Sequence, residues 1–555
     1  MIAPVENKAP FQFGYRRCAD QDAAKPARHP VVIVGAGPVG LAAAIDLAQR
    51  GHPIVLIDDN DRIGAGSRAI CFSKRSLEVA DRLGVGAKMV AKGVRWQVGR
   101  VFLDNDPVYQ FDLLPELGYK RPAFVNLQQY YVEAYLAERA RELSGIDLRW
   151  RNTLVAIEQF PDHVTLTIET PDGPYTLEAE WLIAADGARS PTRGMLGLPF
   201  HGQVFNDRFL IVDIKMTAPF PPERWFWFDP PFHRGQSVLL HKQPDDIWRV
   251  DFQLGLDADQ VTEATPECII PRLKAMLGDN TPFEIEWMSV YTFQCRRLEK
   301  FRHGRVVFAG DAAHQVSPFG ARGANSGLED AQNLSWKLAA VLDGEAGAHL
   351  IDSYATEREL AADDNIGHST RATDFISPKS PMARIFRNAT LGLAKHAAFA
   401  KAMVNSGRLS TPTQYDGSPL SSTDNELFKG MSKRGLPVPD AALEDAHGRA
   451  VWLLDALDRG FTALMLDNGT RPDDVPDGIT LTIIGHNGDR DAGSAHRPDL
   501  FDRLGQFTTR YDATPGAVYL IRPDQYLCAR FRGYSAATLA TARQRALGQL
   551  EVTAP

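Results

Sequence analysis

The chain has 555 residues, 44% of them hydrophobic and 23% charged, and carries a formal net charge of -8. Its length exceeds what one hydrophobic core serves and points to about three to four domains. The acidic balance leaves no basic stripe to displace phosphate counterions, which argues against a nucleic-acid binder.

Residues 1–29 form a polar, proline-punctuated arm without the basic-then-apolar layout of a signal peptide. The longest uncharged, mostly apolar run, residues 30–45, is too short to span a bilayer and is broken by glycine and proline. The five cysteines, Cys18, Cys71, Cys268, Cys295 and Cys528, are dispersed, with no CxxC and no metal-ligand spacing. Reduced thiols in a cytoplasmic protein, with no metal and no membrane anchor, are therefore expected.

VVIVGAGPVGLAAAIDLAQRGHPIVLIDD, from residue 31, reads as a β-branched strand, a glycine turn, an Ala-rich helix capped by Gly51 and a second strand. This is a βαβ unit. Gly35, Gly37 and Gly40 complete GxGxxG: the first permits the tight turn, the second lets backbone approach a pyrophosphate, and the third allows close helix–strand packing. Asp58 ends the second strand eighteen residues beyond Gly40, where a carboxylate receives ribose hydroxyls. An acid there disfavours the extra phosphate of NADP, so the ligand is NAD or the adenosine half of FAD, and this motif alone does not choose.

Residues 126–143 have helical spacing, and residues 164–185 read as two short strands around a PDG turn. AADGARSPTR follows, with Asp186 and Gly187 after a strand; by itself this is a common Asp-Gly turn and helix cap. From 205 to 295 the texture changes to alternating, aromatic-rich strands, with QPDD as a hairpin turn, so a mainly antiparallel sheet is inserted into a doubly wound α/β domain.

Then comes VVFAGDAAHQVSPFGARGANSG, from residue 306: Gly310 and Asp311 end a strand, and GARGANSG opens a helix. A carboxylate there suits a ribityl or ribose hydroxyl, and a small-residue helix start aims amides at an electron-rich carbonyl such as a flavin edge. Two glycine turns so far apart fit opposite ends of one long ligand, which favours FAD over NAD. Helices continue to about residue 400, a Ser/Thr/Pro-rich linker follows, and a terminal block returns to strand–helix alternation.

GAGPVG, DGARSPTR and GDAAHQVSPFGARGAN, in this order, resemble the three signatures of the single-component FAD-dependent aromatic hydroxylases (class A flavoprotein monooxygenases, para-hydroxybenzoate hydroxylase fold). The resemblance covers about residues 30–400, and the tail is similar to the thioredoxin-like appendage of the phenol and hydroxyphenylpropionate hydroxylase branch. It implies an arm (1–29), an FAD-binding domain in two parts (30–204 and 296–372), a substrate sheet (205–295), a helical segment and linker (373–425) and a thioredoxin-like domain without CxxC (426–555). Homodimers are expected, with the tail in a packing or dimer-support role.

Carried over position by position, Gly35, Gly37, Pro38, Val39 and Gly40 line the pyrophosphate, and Asp58 and Asp59 the ribose side. Arg68 lies along the cofactor, Gln129 contacts the flavin, and Asp186 faces FAD. Gly310 and Asp311 hold the ribityl chain, and the Gly323, Ala324 and Asn325 amides the ring. Pro318 presents its carbonyl between cofactor and substrate. Three positions depart from the family pattern: Ser317 replaces a proline, Ala321 a glycine and Arg322 a glutamine. Ala321 is compatible with the motif if its φ is negative, and Arg322 places a cation near the flavin.

The implied chemistry is reduction of FAD by NADH or NADPH, addition of O2 to give a flavin C4a-hydroperoxide, and electrophilic oxygen transfer to a small phenolic ring, with or without displacement of a substituent. That requires a base near the hydroxyl and a dry pocket. His241 is a candidate base, Arg249 aligns with a family arginine at the sheet–flavin boundary, and Tyr291 is a candidate proton relay. Trp225, Trp227, Trp248 and Phe319 are candidate pocket walls. Arg296, Arg297, Arg302 and Arg305 read as surface ion-pair partners or as a substrate anchor. The alternatives are a flavin reductase or electron-transfer protein and a halogenase, the latter from a partial likeness of WFWFDP to WxWxIP.

Overall fold

The computed structural model describes residues 11–64, 69–255, 258–404, 409–486 and 497–550. Its first sheet runs in the order Arg302–His303, Val306–Phe308, Tyr175–Ala184, Ala27–Val34, Ile54–Asp58, Ile146–Trp150. All but the first of these strands are mutually parallel. Val31, Val32 and Ile33, and Leu182 and Ile183, are fully buried, as continuous apolar strands covered on both faces must be. A hairpin of Thr153–Gln159 and Val164–Glu169 extends Tyr175–Ala184 antiparallel.

The order of the central strands decides where a ligand goes. Val306–Phe308, Tyr175–Ala184, Ala27–Val34 and Ile54–Asp58 are consecutive neighbours, so Gly310, Asp186, Gly35 and Asp58 emerge side by side at their carboxyl ends. Ligands of open α/β sheets bind in that crevice.

The second sheet has eight strands in the order His314–Gln315, Glu284–Leu298, Phe200–Lys215, Ile247–Leu254, Ser237–Lys242, Arg224–Phe228, Val98–Leu103, Asp106–Asp112. It is antiparallel except where Arg224–Phe228 runs parallel to Val98–Leu103. The 205–295 block is therefore its centre, while two strands come from 98–112, which sequence texture assigned to the first domain. Successive residues along each strand point to opposite faces. The back face, with Val238, Leu240, Val250 and Phe252, packs into one core with Ile269 and Leu273 of helix Pro266–Leu277. The front face turns towards the first domain.

The tail forms a seven-stranded mixed sheet, parallel among Phe461–Leu466, Ile479–His486 and Leu500–Asp502 and antiparallel towards Leu527–Phe531. Buried charges join it to the first domain. Arg522 donates to both Glu357 oxygens at 2.7 and 3.0 Å, Lys337 Nζ stands 2.8 Å from Glu357, and Arg75 donates to Gln525 Oε1 at 2.9 Å and the Asp524 carbonyl at 2.7 Å. Burial alone would push the Glu357 carboxyl up, but Arg522 and Lys337 outweigh it and hold it below the carboxylate range. A depressed carboxyl contributes stability that is present above its ordinary pKa and lost as pH falls below it. Glu357→Gln would leave two buried cations without their anion, so it is expected to lower unfolding free energy by about 3–5 kcal/mol at neutral pH. Denaturant unfolding should show the deficit shrinking at acid pH.

Candidate active site

At the dinucleotide turn each glycine has a separate reason. Gly35 has φ +103°, and a Cβ there would collide with the Ala185 carbonyl; one at Gly40 would collide with the Gly35 carbonyl. A Cβ on Gly37 would meet open space. Gly37 is thus kept small for what lies outside the protein, at the N-terminus of helix Pro38–Gln49, whose first amides point outward for an anion. Val39 reaches the other way: a Cβ on Gly310 would come 2.8 Å from Val39 Cγ2, and one on Gly327 2.6 Å. The two glycine turns, some 270 residues apart in sequence, are in direct contact.

Asp58 braces this turn. Its Oδ2 accepts from the Ala36 amide at 2.6 Å, and its Oδ1 from the Asn60 amide at 2.9 Å and side chain at 3.0 Å. One lone pair of Oδ2 remains for a ribose hydroxyl. Burial, with neighbouring Asp59 adding to it, raises the Asp58 carboxyl; Asp59 itself is exposed. Arg68 lies outside the described residues. Gln129 accepts from the Ala69 amide at 3.0 Å and donates to Glu133 at 2.7 Å, so it braces the segment that follows Arg68.

In the second motif, Asp186 Oδ2 caps helix Pro191–Met195 by accepting from the Thr192 amide at 2.9 Å, while Oδ1 is buried with no hydrogen-bond partner. Arg193 donates to the Ala312 carbonyl at 3.0 Å and the Ala188 carbonyl at 2.9 Å, which ties this motif to the third.

The third motif is anchored by a residue that sequence reasoning missed. Asp330, fully buried, accepts from the Gly310 amide at 2.9 Å, His314 Nε2 at 2.7 Å and Arg358 Nε at 2.6 Å. Burial opposes its charge, but His314 and Arg358 outweigh burial and keep the carboxyl low. Asp311 and Pro318 are exposed beside it. Asn325 accepts from the Ser73 amide at 3.0 Å and donates to the Cys71 carbonyl at 2.9 Å, which leaves the 323–325 amides as the helix-start donors.

One expectation about the departures is corrected. Ala321 has φ +51°, not a negative angle; an alanine in the left-handed region is strained by about 1–2 kcal/mol. Arg322 is 1% exposed and donates to Asn365 at 2.7 Å, so its cation is buried against helix Leu350–Ile376.

Strand alternation sorts the substrate candidates. Trp225, Trp227 and Trp248 belong to the back-face core with helix Pro266–Leu277, so they are not walls of a flavin-side pocket. Phe319 is on the front, packed with Phe209, Phe226, Phe228 and Phe293. Tyr291 is also there, in register with Phe209. The register aligns Trp287, Asp213, Arg249 and His241 in one cross-strand row, and Arg224 follows in that row because Trp225 pairs with Leu240.

Arg249 is committed to Asp213 by two bonds at 2.8 and 2.7 Å, with Gln243 adding a third to the same carboxylate at 3.0 Å. His241 is 2% exposed, with Nδ1 4.0 Å from Cys71 Sγ and Nε2 3.8 Å from Asp251 Oδ2. Burial, then Arg224 and Arg249, push its pKa well down, so the imidazole is neutral. Burial pushes the Asp251 carboxyl up to about 6 against the pull of the two arginines. Asp251, Asp213 and Arg224 were not singled out from sequence, although the alternation in ERWFWFD places Arg224 with Phe226 and Phe228. The downstream arginines have structural partners: Arg297 pairs with Asp363, Arg302 with Asp352, and Arg296 and Arg305 donate to the carbonyls of Phe200 and Pro161.

An outward helix start at Gly37, a partnerless buried oxygen on Asp186 and an exposed Asp311 fit a site for FAD. This fold and site define an FAD-binding oxidoreductase. The family model described as FAD binding domain matches residues 28–369, and the chain belongs to that family, among the FAD-dependent aromatic hydroxylases and monooxygenases. It is 31% identical over 553 residues to a 6-methylpretetramide 4-monooxygenase of Streptomyces rimosus, covering 95% of each chain. It is 28% identical over 527 residues to a 3-(3-hydroxy-phenyl)propionate/3-hydroxycinnamic acid hydroxylase of Shigella sonnei, covering 90% of this chain and 91% of the relative. The flavin-dependent monooxygenase PieE, solved in complex with FAD and substrate, superposes with a TM-score of 0.80 at 22% identity, over 95% of this chain and all of the other. Among the described residues no helix is long and apolar enough to cross a membrane.

Removing the Asp330 carboxylate frees the Gly310 amide and leaves Arg358 buried without its closest anion. Asp330→Ala is therefore expected to destabilise the protein by about 3–5 kcal/mol and to weaken FAD binding. Flavin fluorescence during FAD titration of the apoprotein, beside a melting curve, checks both.

Proposed function

We propose that this enzyme hydroxylates a small phenolic compound with NADH or NADPH and O2, on the front face of the second sheet. The observation that carries this reading is a neutral, buried histidine facing Cys71, the strand that Asn325 clamps to the flavin-side helix, with Asp251 as its neighbour. FAD, when bound, would supply the two-electron redox and O2-activating chemistry of the reaction. Asp58, Asp186, Asp311 and the 323–325 amides would hold it. His241 accepts the phenolic proton, which makes the ring more electron-rich, and Asp251 stabilises the imidazolium that results. The front-face phenylalanines keep water out.

The tail reads as a thioredoxin-like appendage with a structural role. What supports this is its single cysteine among the described residues, Cys528, buried with its thiol pushed up to about 12, and its charged seam with Glu357.

A panel of phenols scored for substrate-stimulated NADH and NADPH oxidation, with product mass, tests the reaction. A product with one added oxygen atom is expected; stimulation without it would leave only a reductase. His241→Gln should lower kcat by about 10²–10⁴-fold. Because Asp251 must be ionised, kcat/KM should fall as pH drops through about 6. A pH–rate profile of Asp251→Asn should lack that acid limb.

A further inference from the structure

Helix Pro381–Ala394 is apolar on two faces, and only one of them meets the protein. Its inner face, with Leu391 and Ala394, joins the front-face phenylalanine cluster. Its outer face carries Met382, Ile385, Phe386 and Leu393, at the three- and four-residue spacing that makes a single stripe. Helix Ala398–Met403 packs on it and adds Phe399 and Met403. These six side chains are 47–72% exposed. A surface helix ordinarily buries one apolar stripe and turns polar residues outward, so the second stripe is surplus to the packing of this chain. Single exposed apolar residues are commonplace; a group of this size marks an interaction surface.

The charge around the stripe says what covers it. Residues 375–415 contain six Lys and Arg and no Asp or Glu, in a chain whose net charge is -8. Arg384 and Lys395 fall along one side of the stripe, and Lys401 lies between Phe399 and Met403 in the next helix; all three are exposed. Among the described residues Arg384 and Lys401 form no ion pair. Lys395 has an exposed partner in Asp106 at 3.3 Å, and Lys379, before the helix, pairs with Asp207. Two copies joined symmetrically through this face would set like charges against each other. A partner that wraps a basic helix in a groove needs the whole helix, and here the inner face is already in the core. A bilayer surface needs only what is on offer: apolar side chains for the acyl boundary and cations at headgroup level.

We infer that helices Pro381–Ala394 and Ala398–Met403 seat the enzyme on an anionic lipid surface. Their outer apolar side chains enter between the headgroups, and Arg384, Lys395 and Lys401 meet the lipid phosphates. The helices lie on the bilayer and do not span it. Because neither the stripe nor these cations belong to the FAD site or to the front-face row, the inference does not depend on the proposed reaction.

The test is flotation of full-length, FAD-loaded enzyme with vesicles of phosphatidylglycerol and phosphatidylcholine, beside vesicles of phosphatidylcholine alone. The enzyme should float with the anionic vesicles, partition about tenfold or more less to the neutral ones, and be released by high salt. Phe386→Ser with Phe399→Ser, and separately Arg384→Glu with Lys401→Glu, should each weaken anionic-vesicle binding about tenfold or more, with FAD content and melting temperature unchanged. No flotation of the parent, equal flotation with both kinds of vesicle, or a charge-reversed pair that floats like the parent overturns the assignment. If the serine pair does not fold, the charge-reversed pair decides by the same criterion. A parent that does not float but forms a dimer, which the serine pair dissociates, also overturns it and gives this face to a second copy.

Discussion

Val39 fills the space that side chains on Gly310 and Gly327 would need, and that contact holds the two glycine turns together. Each turn leaves a strand of the same parallel sheet; the first opens helix Pro38–Gln49 directly, and the second leads on to the helix start at Gly323. Adjacent strand order brings them side by side, and the missing Cβ atoms let them close on one another. If any of the three positions carried the wrong side chain, the helix starts would separate and could not serve one extended ligand. The second motif is drawn in by the Arg193 bond to the Ala312 carbonyl, and the third is held by Asp330 from behind.

Asp330 is itself part of a longer chain of buried charges. Arg358 joins it to Tyr415, whose ring stacks on Tyr526 of the tail at 4.7 Å, and the neighbouring Glu357 receives Arg522. Removing one member of such a network leaves its partners charged in a medium that solvates them poorly. The tail is therefore bound to the flavin-side helices by interactions that act together, and it bears on the site through Asp330 without reaching it.

The second sheet divides its residues by face. Its back is an ordinary core of tryptophans and aliphatics under a helix; its front combines phenylalanines with a row of charge. In that row Arg249 and Asp213 satisfy each other, burial holds His241 neutral, and Arg224 stands with Arg249 against the buried Asp251. The same strand thus sends Trp225 into the back-face core and Arg224 into the front-face row, one residue apart.

Much of this was legible in the chain. GxGxxG with its following acid, the Asp-Gly turn and the GDAAH stretch are local patterns, because a tight turn or a helix start is decided by a few consecutive residues, and their order along the chain marks the family. What depended on distant strands was not. The tryptophans read as pocket walls because an aromatic strand does not announce which of its faces meets the cofactor; only pairing with Phe200–Lys215 and covering by Pro266–Leu277 settled that. Asp330 sits in an unremarked helix, and the angle of Ala321 follows from closure of the turn around it. Sequence by itself determined the turns and hence the ligand class, since local sterics need no partner. Tertiary structure decided how the buried charges are paired, since pairing at that range is a property of the assembled sheets.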